Sequence, residues 1–395
     1  MNSIQNLKTN QEFVSKLYSP STSEVYTPLF LVSSMLDKLP IDVWKNPNLK
    51  WCDPFCKSGI FLTEVVIRLF DSLREWESDD TKRYNHIIQN MVYGFCYTDI
   101  GYLVTKRVLN DLSIKNQSVK GKFDIIVTNM PFNQSGNKFN TIWEDNCEKI
   151  LSNSLVKGGY LLTTVLPKWR KPNSDVWELF IKKNKLVHSK FYGINSMFKT
   201  AVDYVLVKKE KSSDYNYVIC DVDDNIFTFS NKDWNFLPNC NFDAVRELTI
   251  SSLTDSNRMN VMKCEYIYDT HKTNKNQSME ESEFHKHPCL HTIHKGYKPV
   301  FYYTSSKRGH FGVRKVILSR TGTFRAYNDY KGKLGMTQHC CAIIVDNNDI
   351  AEKICKFINT VEFERFVKKT FCWAGIEIED AILFYLKNNF WEKSV

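Results

Sequence analysis

The sequence has no run of the ~18–20 consecutive apolar residues that a membrane-crossing helix needs. Its opening, MNSIQNLKTNQEF, is polar and offers no apolar signal core. No two cysteines have the CxxC spacing; the nearest are Cys52 with Cys56 and the adjacent Cys340 and Cys341. The 12 cysteines therefore outline no disulfide framework, and reduced thiols in an intracellular, cytoplasmic protein are expected. His285, His287, Cys289, His291 and His294 crowd together, but their spacings match no standard zinc finger, so no metal is expected. Internal repeats are missing, as are low-complexity tracts. Acidic residues almost vanish over residues 286–333, where Asp329 stands alone against eleven Lys and Arg.

What remains is ample for a packed protein. The 395 residues are 43% hydrophobic and 14% aromatic, enough for two folded domains. A net charge of +9 suits a polyanionic partner. The first 20 residues read as an N-terminal arm. From residue 21 to 212, apolar runs alternate with amphipathic stretches. LKWCDPF, MVYGFCYTDI, FDIIVTNMPF, GGYLLTTVLP, LVHSKFYGI and VDYVLVKKE have strand character. LFLVSSMLDKLP, GIFLTEVVIRLFDSL, LVTKRVLNDL and EDNCEKILSNSLV have helical spacing. Strands apolar on both faces and alternating with helices predict an α/β fold, a Rossmann-like, doubly wound and mostly parallel sheet. Ligands in that class bind beyond the carboxyl ends of the strands. Residues 213–395 are expected to form a mixed α+β domain, first polar and irregular, then basic with interleaved aromatics, then amphipathic.

Three short segments carry the chemistry. Asp53-Pro54-Phe55-Cys56-Lys57-Ser58-Gly59 follows a strand and opens a helix, a turn that aims backbone N–H groups at a ligand. Asp99 lies just past a second strand, where a carboxylate commonly bonds a ribose; an Asp there also suits a helix N-cap. Asn129-Met130-Pro131-Phe132 ends a third strand. An exocyclic amine of a nucleobase is a poor nucleophile because its lone pair is delocalised into the ring. The Asn129 side-chain oxygen and the Met130 carbonyl are placed to accept its two hydrogens, and Phe132 to stack on the base.

The combination resembles the gamma-class N6-adenine DNA methyltransferases of restriction–modification systems. DPFCKSG stands for their cofactor motif and NMPF for their catalytic Asn-Pro-Pro-aromatic motif. Glu24-Val25-Tyr26-Thr27-Pro28 stands for the Thr-Pro segment that precedes them. Three positions depart from the pattern: Met130 replaces a proline, Lys57 a small residue, usually glycine, and Asp99 stands two residues later than the usual acid.

The resemblance covers roughly residues 20–210. It implies a class I methyltransferase fold with S-adenosylmethionine as cofactor. Tyr26, Thr27, Pro28, Asp53, Pro54, Phe55, Ser58, Gly59, Asp99 and Asn129 would surround that cofactor. Asn129, Met130, Pro131 and Phe132 would hold an adenine flipped out of duplex DNA. The second domain would then recognise the DNA target through Lys307, Arg308, Arg314, Lys315, Arg320 and Arg325. A companion restriction endonuclease is an expected partner; a membrane is not. Three readings compete: a catalytically degenerate DNA-binding relative, a partner-dependent modification subunit, and a methyltransferase for cytosine N4 or RNA adenine.

Overall fold

A computed structural model of the chain describes residues 2–16, 26–109, 114–115, 121–133, 142–194, 200–251, 253–270, 276–294, 296–320, 324–373 and 380–393. The chain forms two compact units. The first comprises Met1–Trp169 with Asn173–Lys232, and the second Arg170–Pro172 with Asp233–Val395. Among the described residues, no helix is long and apolar enough to cross a membrane.

The first unit is built on a nine-stranded mixed sheet. Its strands are β1 (Trp51–Asp53), β2 (Val92–Phe95), β3 (Ile114–Lys115), β4 (Phe123–Thr128), β5 (Leu155–Val165), β6 (Lys185–Ile194), β7 (Ala201–Lys208), β8 (Asn216–Cys220) and β9 (Ile226–Ser230). They lie in the order β3-β2-β1-β4-β5-β7-β6-β8-β9. The pairs from β3 through β5 are parallel, and β7 enters antiparallel between β5 and β6. The helices of this unit are α1 (Asn2–Ser15), α2 (Leu29–Leu36), α3 (Ile41–Lys45), α4 (Ile60–Ser72), α5 (Asp80–His86), α6 (Asp99–Val108), α7 (Trp143–Lys149) and α8 (Asp175–Trp177).

From β1 the chain winds outward through β2 to β3, then crosses back to lay β4 on the other side of β1. The direction of winding therefore reverses between β1 and β4. Their connections leave in opposite directions there and open a crevice at the carboxyl ends. All of β1 and all of β4 but Asp124 are buried, as expected of strands covered on both faces.

Two expectations are corrected. The arm expected over residues 1–20 is, where described, helix α1, packed on α4 and α6. Leu7 and Val14 are buried there, and Gln11 Nε2 donates to Glu64 at 2.7 Å. Its apolar residues Ile4, Leu7 and Val14 do share one helical face, but polar neighbours dilute the pattern. Beyond residue 212, β8 and β9 extend the first sheet, so this unit runs on to Lys232.

The second unit holds two four-stranded sheets. β10 (Val261–Met262), β14 (Lys315–Ser319), β15 (Arg325–Asp329) and β17 (Cys340–Ile344) form one, in the order β10-β17-β14-β15. β11 (Gln277–Ser278), β12 (His287–His294), β13 (Lys298–Thr304) and β16 (Gly335–Met336) form the other, in the order β11-β13-β12-β16. Leu290, Ile293, Ile317, Met336 and Ala342 make a shared core. Helix α9 (Phe242–Leu248) lies in the same unit, as do α10 (Asn348–Ile358) and α11 (Val361–Phe371), which form in the amphipathic stretch near the end of the sequence.

Candidate active site

Asn129 is the first residue after β4 and is buried. Two hydroxyls hold its carboxamide. Nδ2 donates to Thr27 Oγ1 at 2.9 Å, and Thr164 Oγ1 donates to Oδ1 at 2.6 Å. Thr27 comes from the segment that leads through Pro28 into α2, and Thr164 from β5. The register explains the second contact: Thr128 pairs with Thr163, so the next residues on the two strands are neighbours. Met130, also buried, turns its sulfur toward α7, where Cys147 Sγ lies 3.8 Å away. Pro131 and Phe132 are half-buried, and the Phe132 carbonyl accepts from Ile142 N at 3.0 Å. Glu24 and Val25, just ahead of Tyr26, lie outside the described residues.

The turn after β1 is shaped by Asp53. Its Oδ1 accepts from Phe55 N at 2.9 Å and from Thr128 Oγ1 at 2.7 Å, joining the ends of β1 and β4. Burial pushes the Asp53 carboxyl up to about 6, against the pull of those two bonds and of the Lys57 charge. Pro54 and Ser58 are buried in the same turn. Gly59 takes φ +77°, and a Cβ there would meet Thr105 Cγ2 at 2.9 Å, so α4 can start this close to α6 only with glycine. Lys57 also sits in the left-handed region, at φ +47°, which is the physical reason a glycine suits that position. Its carbonyl accepts from Thr105 Oγ1 at 2.9 Å, and Gly101 leaves room for the approach.

Between these turns lies a cavity of roughly 240 Å³, lined by Phe55, Lys57, Cys96, Tyr97, Thr98, Gly101, Pro131, Asn133, Ile142 and Asn146. Phe55 and Tyr97 stack, with ring centroids 5.2 Å apart. Asn146 Nδ2 is buried and has no hydrogen-bond partner among the described residues. A cavity walled by flat apolar groups, with one orphaned amide and a helix N-terminus close by, fits the size and chemistry of a nucleoside with a polar tail.

No family model matches the chain. Over 89 residues it is 38% identical to an uncharacterized adenine-specific methylase of Mycoplasma pneumoniae, covering 22% of this chain and 21% of that protein. Over 139 residues it is 27% identical to the type II methyltransferase M.VspI of a Vibrio species, covering 33% of this chain and 32% of that one. These matches thus span about a fifth and a third of the relatives' lengths. Among solved structures, a modification subunit of a putative type I restriction enzyme from Vibrio vulnificus superposes with a TM-score of 0.42 at 17% identity, over 56% of this chain and 53% of that one.

Asp99, expected at the ribose, is exposed in the first turn of α6 and does not line the cavity. The N-cap is Thr98, which accepts from Gly101 N at 3.1 Å. The adjacent Tyr97 and Thr98 do line it. Thr105, Thr128, Asn146 and Thr164 escaped the sequence reading. The signal for Thr164 was visible: a hydroxyl pair inside an otherwise apolar strand, LLTTV, needs partners.

The six basic residues expected on a DNA face fall into two groups. Lys315 is fully buried, and its Nζ donates to Asp329 Oδ2 at 2.6 Å and to the carbonyls of His310 and Leu334. Arg325 is largely buried, ion-paired with Glu364 and bonded to the Thr360 carbonyl. Both are therefore corrected to structural roles: each belongs to a strand whose side chain points inward, where a charge needs a partner. Lys307, Arg308 and Arg314 are exposed, and Arg320 is half-buried.

Proposed function

We propose that the chain transfers a methyl group from S-adenosylmethionine to N6 of an adenine in duplex DNA. The observation that carries this reading is the Asn129 carboxamide, buried and held by hydroxyls at the end of β4, with Pro131 and Phe132 beside it and the cavity adjoining. The cofactor, when bound, supplies an electrophilic methyl on a sulfonium. The residues lining the cavity would hold it: Phe55 and Tyr97 against its adenine ring, and Thr98 and Gly101 at the start of α6 near its polar groups. Asp53 keeps the turn in shape. Asn129 Oδ1 and the Met130 carbonyl accept the amine hydrogens of the target, which draws the nitrogen toward tetrahedral geometry and frees its lone pair. Phe132 stacks on the extruded base, and stacking returns about 1–3 kcal/mol of the cost of extrusion. Methyl transfer turns the amine into a secondary amine and releases one proton.

The second unit would bind DNA through Lys307, Arg308, Arg314 and Arg320. A companion endonuclease of a restriction–modification system belongs to the same proposal.

The test is transfer of radiolabelled methyl to unmethylated duplex DNA, followed by digestion to nucleosides. Label is expected in N6-methyl-2′-deoxyadenosine, and Asn129→Ala should lower the rate by roughly 10²–10³, the loss typical of a group that stabilises developing charge. Label in N4-methylcytosine would overturn the substrate. No label, with the cofactor still bound, would overturn the catalytic reading in favour of a degenerate or partner-dependent protein.

A further inference from the structure

We propose that Thr164 is a positioning residue for Asn129, fixing the direction in which the amide oxygen meets the target amine. The proposal rests on the methyl-transfer reading and adds to it a residue 35 positions beyond the motif. Thr164 lies inside β5, among Leu161, Leu162 and Val165, all removed from solvent. A hydroxyl in such surroundings is costly unless bonded, and the bond it makes is the one to Asn129 Oδ1, at 2.6 Å.

The terminal torsion of asparagine is broad, so the covalent geometry of Asn129 does not fix its amide plane. Two contacts from different elements do fix it. Thr27 takes the nitrogen and Thr164 takes the oxygen. An amide oxygen has two acceptor directions. A hydroxyl fixed on one of them orients the other, and strand pairing sets where that hydroxyl sits. The geometry thus assigns Thr164 an effect that falls mainly on the reaction step.

The experiment is steady-state methyl transfer by the full chain, with kcat and KM resolved for cofactor and DNA. Thr164→Val keeps the shape and removes the hydroxyl. It should lower kcat by about tenfold or more, with both KM values within about twofold. Thr164→Ser should restore most of the loss. Thr27→Val should also lower kcat, and the double variant should fall short of the product of the two single effects, because both act on one amide. If Thr164→Val does not fold, Thr164→Ala takes its place with the same expected and overturning results. Wild-type kcat in Thr164→Val, a loss residing in KM, or a Ser variant as poor as Val would each overturn the proposal and leave the methyl-transfer reading standing. A wild-type chain that transfers no methyl at all would remove that reading, and this proposal with it.

Discussion

The turns at the ends of β1 and β4 and the basic strands of the second unit were read from the same sequence by different logic, and they differ in how well that logic located side chains. In the first region, short motifs named Thr27, Asp53, Gly59 and Asn129; Thr27 bonds Asn129, Asp53 bonds Thr128 across the ends of β1 and β4, and Gly59 packs on Thr105. In the second, a count of charges named six basic residues, and Lys315 and Arg325 prove to be buried ion-pair partners. The lesson is about what each signal encodes. A residue at a strand end has its position set by backbone geometry, so a motif carries location. A charge in a run carries only composition, and the strand's alternation decides which way it points.

Substitutions test that contrast. The largest effect is expected at Lys315. Lys315→Ala removes one partner of a buried pair and leaves Asp329 uncompensated, which should cost roughly 3–5 kcal/mol in denaturant unfolding. Lys315→Met, which keeps the stem and loses the charge, should be nearly as damaging. A stable Lys315→Ala protein with weakened DNA binding would reverse the assignment.

Asp53 is next. Its carboxyl stands near 6 in the fold against the ordinary 3.8, so the folded chain binds the proton more tightly than the unfolded one. The stability contributed by that proton is present below about pH 4 and is lost as pH rises to about 6, a change of about 3 kcal/mol. Comparison of wild type with Asp53→Asn over this range isolates it: the wild type should lose stability relative to the variant as pH rises. A constant difference between the two would show that the carboxyl is not perturbed.

The smallest effects on stability belong to the exposed charges. Lys307→Ala and Arg308→Ala should each shift stability by about 0.5 kcal/mol or less. Each should reduce the slope of log affinity for DNA against log salt by about 0.9 if it contacts a phosphate. Arg325→Ala should do the opposite, lowering stability and leaving the salt slope unchanged.

Much of the first unit was legible because its strands are apolar on both faces and its helices amphipathic, so periodicity separated them. Helix α1 was missed because its apolar face is sparse, and its stability comes from docking on α4 and α6. β8 and β9 were missed because they are short, half-exposed strands within a polar stretch. At the site, Asn129 and Gly59 were legible as motif residues. Thr105 was not, and Thr164 shows in the sequence only as a hydroxyl within an apolar strand; the partners of both depend on which strands and helices become neighbours. The left-handed Lys57 was visible as a departure from a glycine pattern, and its φ of +47° supplies the cause.

The clamp on Asn129 also has a consequence for how the protein is made. Thr27 precedes Asn129 by 102 residues, and Thr164 follows it by 35. A ribosome that has just passed the turn after β4 has produced the motif but not the hydroxyl that seats its oxygen. The nascent chain therefore carries an unaligned amide until β5 has emerged and paired, and competence arrives with the completed sheet.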